Sequence, residues 1–263
     1  MSEFLRSIPR TLTRKQTLLG AGSLLAGLCA WWLAARLAGL PAFILPSPGR
    51  VWQRFLSALQ DGTLALNTGA TLAEIVLGLV LGVSLATILG YLVAKSRALE
   101  RVLSPYLVAS QAFPLVAIAP LLVIWFGPGM FSKVLICAMT LFFPVLVNTI
   151  VGVRAVPAPL NDLMHSLHAS RTQTLLKLEI PAALPVFLGG LRVGATLSVI
   201  GAVVGEFAQA DRGLGFLVNL ANRGLFDTPL MFVALFALMT IALGLYGLVS
   251  ALEALVLRWR RTG

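Results

Sequence analysis

Apolar positions in this chain come in long unbroken blocks, without the alternation of a half-buried strand or the spacing of a surface helix. Segments 16–35, 75–94, 102–132, 134–153 and 228–252 contain no Asp, Glu, Lys or Arg. A helix needs about 20 such residues, at 1.5 Å each, to cross the hydrocarbon core of a bilayer. Segment 102–132 is longer but carries Pro105, Pro114, Pro120 and Pro128. Proline removes a helix donor and clashes with the preceding turn, so this segment reads as one broken span ending near Phe126. Segment 185–207 is interrupted by Arg192 and bounded by Glu206; with the others it makes six. The predicted fold class is therefore all-α integral membrane, with six transmembrane helices in a domain over 16–257 and tails at 1–15 and 258–263.

Composition strengthens this reading. Hydrophobic residues make up 58% of the chain and charged residues 11%, against about 25% charged in soluble domains. Mean hydropathy is +0.92. The net charge of +10 is a topology signal. With the N-terminus inside, thirteen of the 20 Lys and Arg fall in cytosolic segments and six outside: Arg36, Arg50, Arg54, Lys133, Arg212 and Arg223. The positive-inside bias puts both termini and the 154–185 loop in the cytosol. Basic residues scattered over short loops give no support to nucleic-acid binding. The first apolar block is long and lacks a small-x-small cleavage site, so it reads as a retained span, with Trp31 and Trp32 in an interfacial belt near its outer end.

The polar interruption 154–185 has a pattern of its own. Leu160, Leu163, Met164 and Leu167 fall at i, i+3, i+4 and i+7, one apolar face of a short helix. Such a helix offered to the cytosol predicts a docking partner. A second short helix is expected after Ser47 and Pro48, with Val51, Phe55, Ala58 and Leu59 on one face, lying on the outer membrane surface. Gly78, Gly82, Ala86 and Gly90 recur every four residues, as do Gly190, Gly194 and Ser198, then Gly201 and Gly205. Small residues at that spacing let helix backbones approach closely in lipid.

Several chemistries lack their residues. Cys29 and Cys137 lie in apolar blocks without CxxC spacing, so neither a disulfide framework nor a metal site is expected. His165 and His168 share a helical face but have no third ligand nearby. No GxxxxGK[ST] phosphate loop, HExxH or GxSxG occurs, so ATP hydrolysis and these hydrolytic reactions are not expected of this chain. No carboxylate pair stands at a catalytic spacing within the spans.

The segment Leu178-Glu179-Ile180-Pro181 resembles the end of the EAA loop, the cytoplasmic signature of permease subunits in binding-protein-dependent ABC importers. That signature reads Glu-Ala-Ala, three residues, Gly, nine residues, then Ile-x-Leu-Pro. Here Asp162-Leu163-Met164 stands at the Glu-Ala-Ala positions and His168 at the Gly. Leu45-Pro-Ser-Pro48, the run 111–126, and the segments 201–207 and 211–215 are similar to the sulfonate, nitrate and taurine branch. The resemblance extends over about 45–257. It implies a type I ABC importer permease fold in a bacterial inner membrane, partnered by ABC ATPase subunits, an extracytoplasmic solute-binding protein and a second permease subunit, most simply a homodimer. ATP and Mg²⁺ would sit on the ATPase, leaving no cofactor here. The coupling residues it implies are Leu160, Asp162, Leu163, Met164, Leu167, His168, Ala169, Ser170, Ile180 and Pro181. The cargo would be a small sulfonate, nitrate or taurine, with riboflavin or a thiamine-precursor pyrimidine as the alternative. A carrier or membrane enzyme working without an ATPase is the rival class.

Glu206 is the remaining candidate. It and Arg192 are fourteen residues apart, about 21 Å along a helix, so they cannot pair; Arg192 is expected to snorkel to the cytosolic interface. Glu206 then either sits at the water interface or hydrogen-bonds neighbouring backbone at the helix end, or it helps close an outer gate, bonding across a subunit interface or to the loop holding Asp211 and Arg212.

Overall fold

A computed structural model describes residues 14–37, 41, 43–111, 114–223 and 226–258. Apart from Arg14, Lys15 and Arg258, the two expected tails lie outside these residues. The described chain is helical: α1 (Arg14–Leu37), α2 (Pro48–Gln60), α3 (Thr63–Lys95), α4 (Arg97–Gln111), α5 (Leu115–Phe126), α6 (Met130–Arg154), α7 (Ala158–Ser166), α8 (Arg171–Thr174), α9 (Ile180–Gln209), α10 (Leu214–Arg223) and α11 (Thr228–Val256). A π turn over Leu175–Glu179 joins α8 to α9.

Among the described residues four helices are long and apolar enough to cross a membrane: α3, α6, the run Arg171–Ala208, and α11. Leu25–Leu37 and Leu115–Phe126 are shorter apolar helices. The block 102–132 is broken, as its prolines require. Pro114 stands in extended backbone ahead of α5, while Pro105 and Pro120 lie inside α4 and α5.

Helix α6 is the axis of the bundle, packed between α3 and α9. The two stripes of small residues make this possible. A Cβ added at Gly82 would stand 2.7 Å from Leu141 Cδ1 and 2.8 Å from the Ala138 carbonyl, and one at Gly90 would stand 2.8 Å from Thr149 Cβ. On the other side of α6, Gly190 faces Asn148, Gly194 faces Val145, and Gly205 faces Lys133. Cys137 is fully buried where the stripes meet, with Gly78 on one side and Gly201 on the other. It is a packing residue between the two stripes.

The core around Cys137 continues to α2, α10 and α11, where Val51, Ala58, Leu214, Leu217, Leu230 and Val233 are buried in one cluster with it. Pro48 opens α2 after Ser47, whose side chain makes no capping bond. The outer face of α2 is held as well as its apolar one: Arg54 Nε donates to Asp227 Oδ2 at 2.7 Å, and Asp227 caps α11 by accepting from the Leu230 amide. Arg54 is thus a structural cation rather than a free loop charge. Trp31, expected in an interfacial belt, stacks on Phe232 with centroids 5.6 Å apart and donates to the Pro46 carbonyl. Trp32 stays exposed beneath the Arg36 guanidinium.

Candidate functional site

At the end of the bundle where α3 and α6 finish and α9 begins, three polar knots tie the helices together. Arg154 closes α6; its guanidinium donates to the Val93 carbonyl at 3.2 Å and to Glu100 Oε2 at 2.8 Å. It caps the last carbonyls of α3, where the helix dipole favours a cation. The hydrogen bonds from Arg154 hold the Glu100 carboxyl below the usual glutamate range. Glu179, in the π turn, is buried and accepts from Tyr91 at 3.1 Å and from Lys95. Arg192 does not stand free as a snorkelling cation: it pairs with Glu253 of α11 and lies 5.3 Å over the Tyr246 ring.

Helix α7 hangs between these anchored ends, and none of its residues is buried. Leu160, Leu163 and Leu167 are 42%, 53% and 67% exposed, Met164 is half-covered, and Asp162 is exposed. The helix stops at a glycine-type turn made without glycine. His168 has φ 52, in the left-handed region. The Ala169 amide returns to the Met164 carbonyl at 3.0 Å and the His168 amide to the His165 carbonyl at 2.9 Å, the paired bonds of a Schellman motif. Two residues later Ser170 opens the next helix with a capping box. Its hydroxyl accepts from the Gln173 amide, and the Gln173 side chain accepts from the Ser170 amide.

The segment read as loop to 185 is therefore helical from Arg171. Ile180 and Pro181 lie inside this helical run, Ile180 exposed and Pro181 half-buried. The π turn directly before Pro181 carries the Ile180 amide to the Leu175 carbonyl, five residues back. Widening the turn here shifts the carbonyls that a proline ring would otherwise strike.

At the opposite end Glu206 is fully buried. Thr71 donates to its Oε1 at 2.6 Å, and the Gly215 amide donates to its Oε2. Thr71 also accepts from the Leu214 amide at 2.8 Å, while Asn67 accepts from the Gly213 amide at 2.7 Å. The amides at the start of α10 are thus pinned to α3 and to the end of α9. Gly213, at φ 124, has no room for a Cβ, which would collide with the Glu206 carboxylate. Asp211 and Arg212, the loop residues expected to meet Glu206, are exposed; its backbone donor is Gly215, inside α10.

Beside Glu206 lie two groups whose roles the sequence reading missed. Lys133, taken for an outside loop charge, is buried with its Nζ 3.1 Å from Glu74 Oε1. Glu74 interacts with Glu206 in turn, so a carboxylate pair exists although no local spacing announces one. The available signal was that Glu74 and Lys133 each border an apolar block, where an ionisable residue calls for a partner. Glu179 was quoted only as part of a motif; its burial follows from the Lys95 and Tyr91 contacts.

Comparison with known proteins agrees with this architecture. The family model described as "Binding-protein-dependent transport system inner membrane component" matches residues 86–258. The riboflavin transport system permease protein RibX of Chloroflexus aurantiacus is 49% identical over 229 residues, 87% of this chain and 85% of that protein. The formylaminopyrimidine transport permease protein ThiX of Halalkalibacterium halodurans is 36% identical, covering 88% of this chain and 91% of its own. The taurine transport system permease protein TauC of Escherichia coli is 34% identical, covering 88% and 86%. In fold the chain resembles an inward-facing structure of the MetNI methionine ABC transporter, with TM-score 0.65 and 16% identity over 75% of this chain and 97% of that one. With helices tied end to end around α6 and relatives named as permeases across most of its length, the chain belongs to the binding-protein-dependent inner-membrane-component family and is a permease subunit of an ABC importer, a transport subunit rather than an enzyme.

Proposed function

We propose that this chain forms, with a second copy, the membrane pathway of an importer in a bacterial inner membrane, crossing it six times with both termini inside. α1 and the broken run 102–126 supply the two crossings beyond the four long helices. ATPase subunits bind ATP and Mg²⁺ and grip α7, and an extracytoplasmic binding protein delivers the solute. The observation that carries this reading is α7 itself: an uncovered apolar face strung between the Arg154 and Glu179 anchors. A push on α7 is delivered to α3, α6 and α9 together, and these exchange packings to alternate access. The exposed apolar face of α5, with Val116, Ile124 and Trp125, favours a second permease subunit beside it.

The cargo favoured by the relatives is an uncharged heterocycle such as a flavin or a pyrimidine, since proteins named for them are 49% and 36% identical to this chain. Taurine is the second reading, from a relative at 34%. The test is uptake by proteoliposomes holding this chain, its ATPase and its binding protein. ATP-dependent accumulation of riboflavin or formylaminopyrimidine over taurine supports the first reading. Preference for taurine favours the second, and uptake without the ATPase favours a self-sufficient carrier.

A further inference from the structure

Between α3, α6 and the start of α9 lies a cavity of about 420 Å³, lined by Ile88, Leu92, Val153, Leu184 and Phe187 with an apolar accessible wall. Ile88, Leu92 and Ile180 at its edge are exposed, so among the described residues it opens sideways out of the bundle. It lies beside the last turns of the uncharged length of α3, which ends at Ala94. At that level of a bilayer the opening faces hydrocarbon at the edge of the headgroups. One end of the cavity differs from the rest. Tyr91 and Glu179 line it there, and Lys95, bonded to Glu179, is half exposed. An ammonium has three donors, and Glu179 takes one of them. Arg97 and Arg101 stand in the first turns of α4, both exposed. With Arg154 they make four cations against the two carboxylates Glu100 and Glu179, a surplus of two positive charges beside an apolar slot.

We propose that this cavity is a binding site for an anionic phospholipid, with one acyl chain in the slot between α3 and α9 and the phosphate against Lys95 and Arg97. Both halves of the site are needed to select such a molecule. The slot offers dispersion contacts to a hydrocarbon chain, and basic residues where helices meet at the headgroup level attract acidic lipid headgroups. A helix of a partner protein would cover Ile88 and Leu92 but leave the surplus charge unmatched. The inference goes beyond the importer reading and holds whatever solute is carried. A bound chain fills the space beside the Glu179 knot and so braces α3 against α9 at the junction next to α7.

The test is native mass spectrometry of the detergent-solubilised full chain, titrated with phosphatidylglycerol or with phosphatidylcholine of the same acyl chains. Phosphatidylglycerol should fill one saturable site per chain and bind about thirtyfold more tightly than phosphatidylcholine, the effect of two cations beside an anionic headgroup. Arg97→Gln removes one of those cations and should weaken phosphatidylglycerol about fivefold. Leu184→Trp fills the slot and should abolish the saturable site while the chain stays monodisperse. Arg97 is exposed, so its replacement keeps the inference open to refutation even where Leu184→Trp fails to fold. Equal binding of the two lipids overturns the inference, as does phosphatidylglycerol binding that Arg97→Gln leaves unchanged. Saturable binding that survives Leu184→Trp in a folded chain overturns it as well, since the lipid then lies elsewhere on the surface.

Discussion

His168 shows how much one backbone angle decides. At φ 52 it occupies a position where glycine is free of strain and an ordinary L residue costs about 1–2 kcal/mol. His168→Gly should therefore leave the thermal midpoint and ATPase binding unchanged or slightly improved, while His168→Val, branched at Cβ, should weaken both. A neutral valine variant would show that the turn does not need this conformation. Glu206 makes a sharper demand. Its removal leaves the Gly215 amide buried without an acceptor, at about 1–3 kcal/mol, whereas Thr71 keeps the Asn67 carbonyl 3.2 Å away. If Glu206 holds the outer gate shut, Glu206→Ala should raise ATP hydrolysis without solute and lower uptake, with Glu206→Gln between; normal values for both would reduce it to a structural residue. The Glu100 carboxyl, held below its usual range by Arg154, contributes fully above the ordinary glutamate pKa. That contribution fades as pH falls through the lowered value. The stability gap between wild type and Glu100→Gln should thus be constant near neutrality and close only in acid, as thermal unfolding at several pH values would show.

At the scale of elements, local pattern and distant pairing part company. The face of α7 was legible because Leu160, Leu163, Met164 and Leu167 share a 3.6-residue period. The close approach of α3 and α9 to α6 was likewise foreshadowed by glycines four apart. A large side chain there has no space: Gly82→Leu should separate α3 from α6 and prevent a folded protein, seen as loss of a monodisperse peak in detergent. The same substitution at Gly244, where nothing lies within 4 Å of an added Cβ, should be tolerated. The ion pairs Glu74–Lys133, Lys95–Glu179 and Arg54–Asp227 were not legible. Each joins residues of different elements far apart in sequence, and such charges look the same as loop charges until the helices are packed. The π turn was hidden too, since Pro181 marks an irregularity without saying which kind.

The whole molecule works as two polar ends joined by a tightly packed apolar middle, with α7 at one end and the Glu206 knot at the other. In the proposed orientation a cysteine at Ser57 should react with an impermeant reagent from outside and one at Thr172 should not; the reverse would invert the molecule and leave α7 on the wrong side for an ATPase. The central claim is that α7 carries the ATPase's work into the bundle. Its most direct measurement is ATPase copurification with the detergent-solubilised chain, comparing wild type with Leu167→Asp. Burial of each apolar residue of that face is worth about 1.5–3 kcal/mol, so the substitution should cut ATPase recovery by an order of magnitude or more while the chain itself stays monodisperse. Undiminished ATPase recovery with Leu167→Asp would contradict the account.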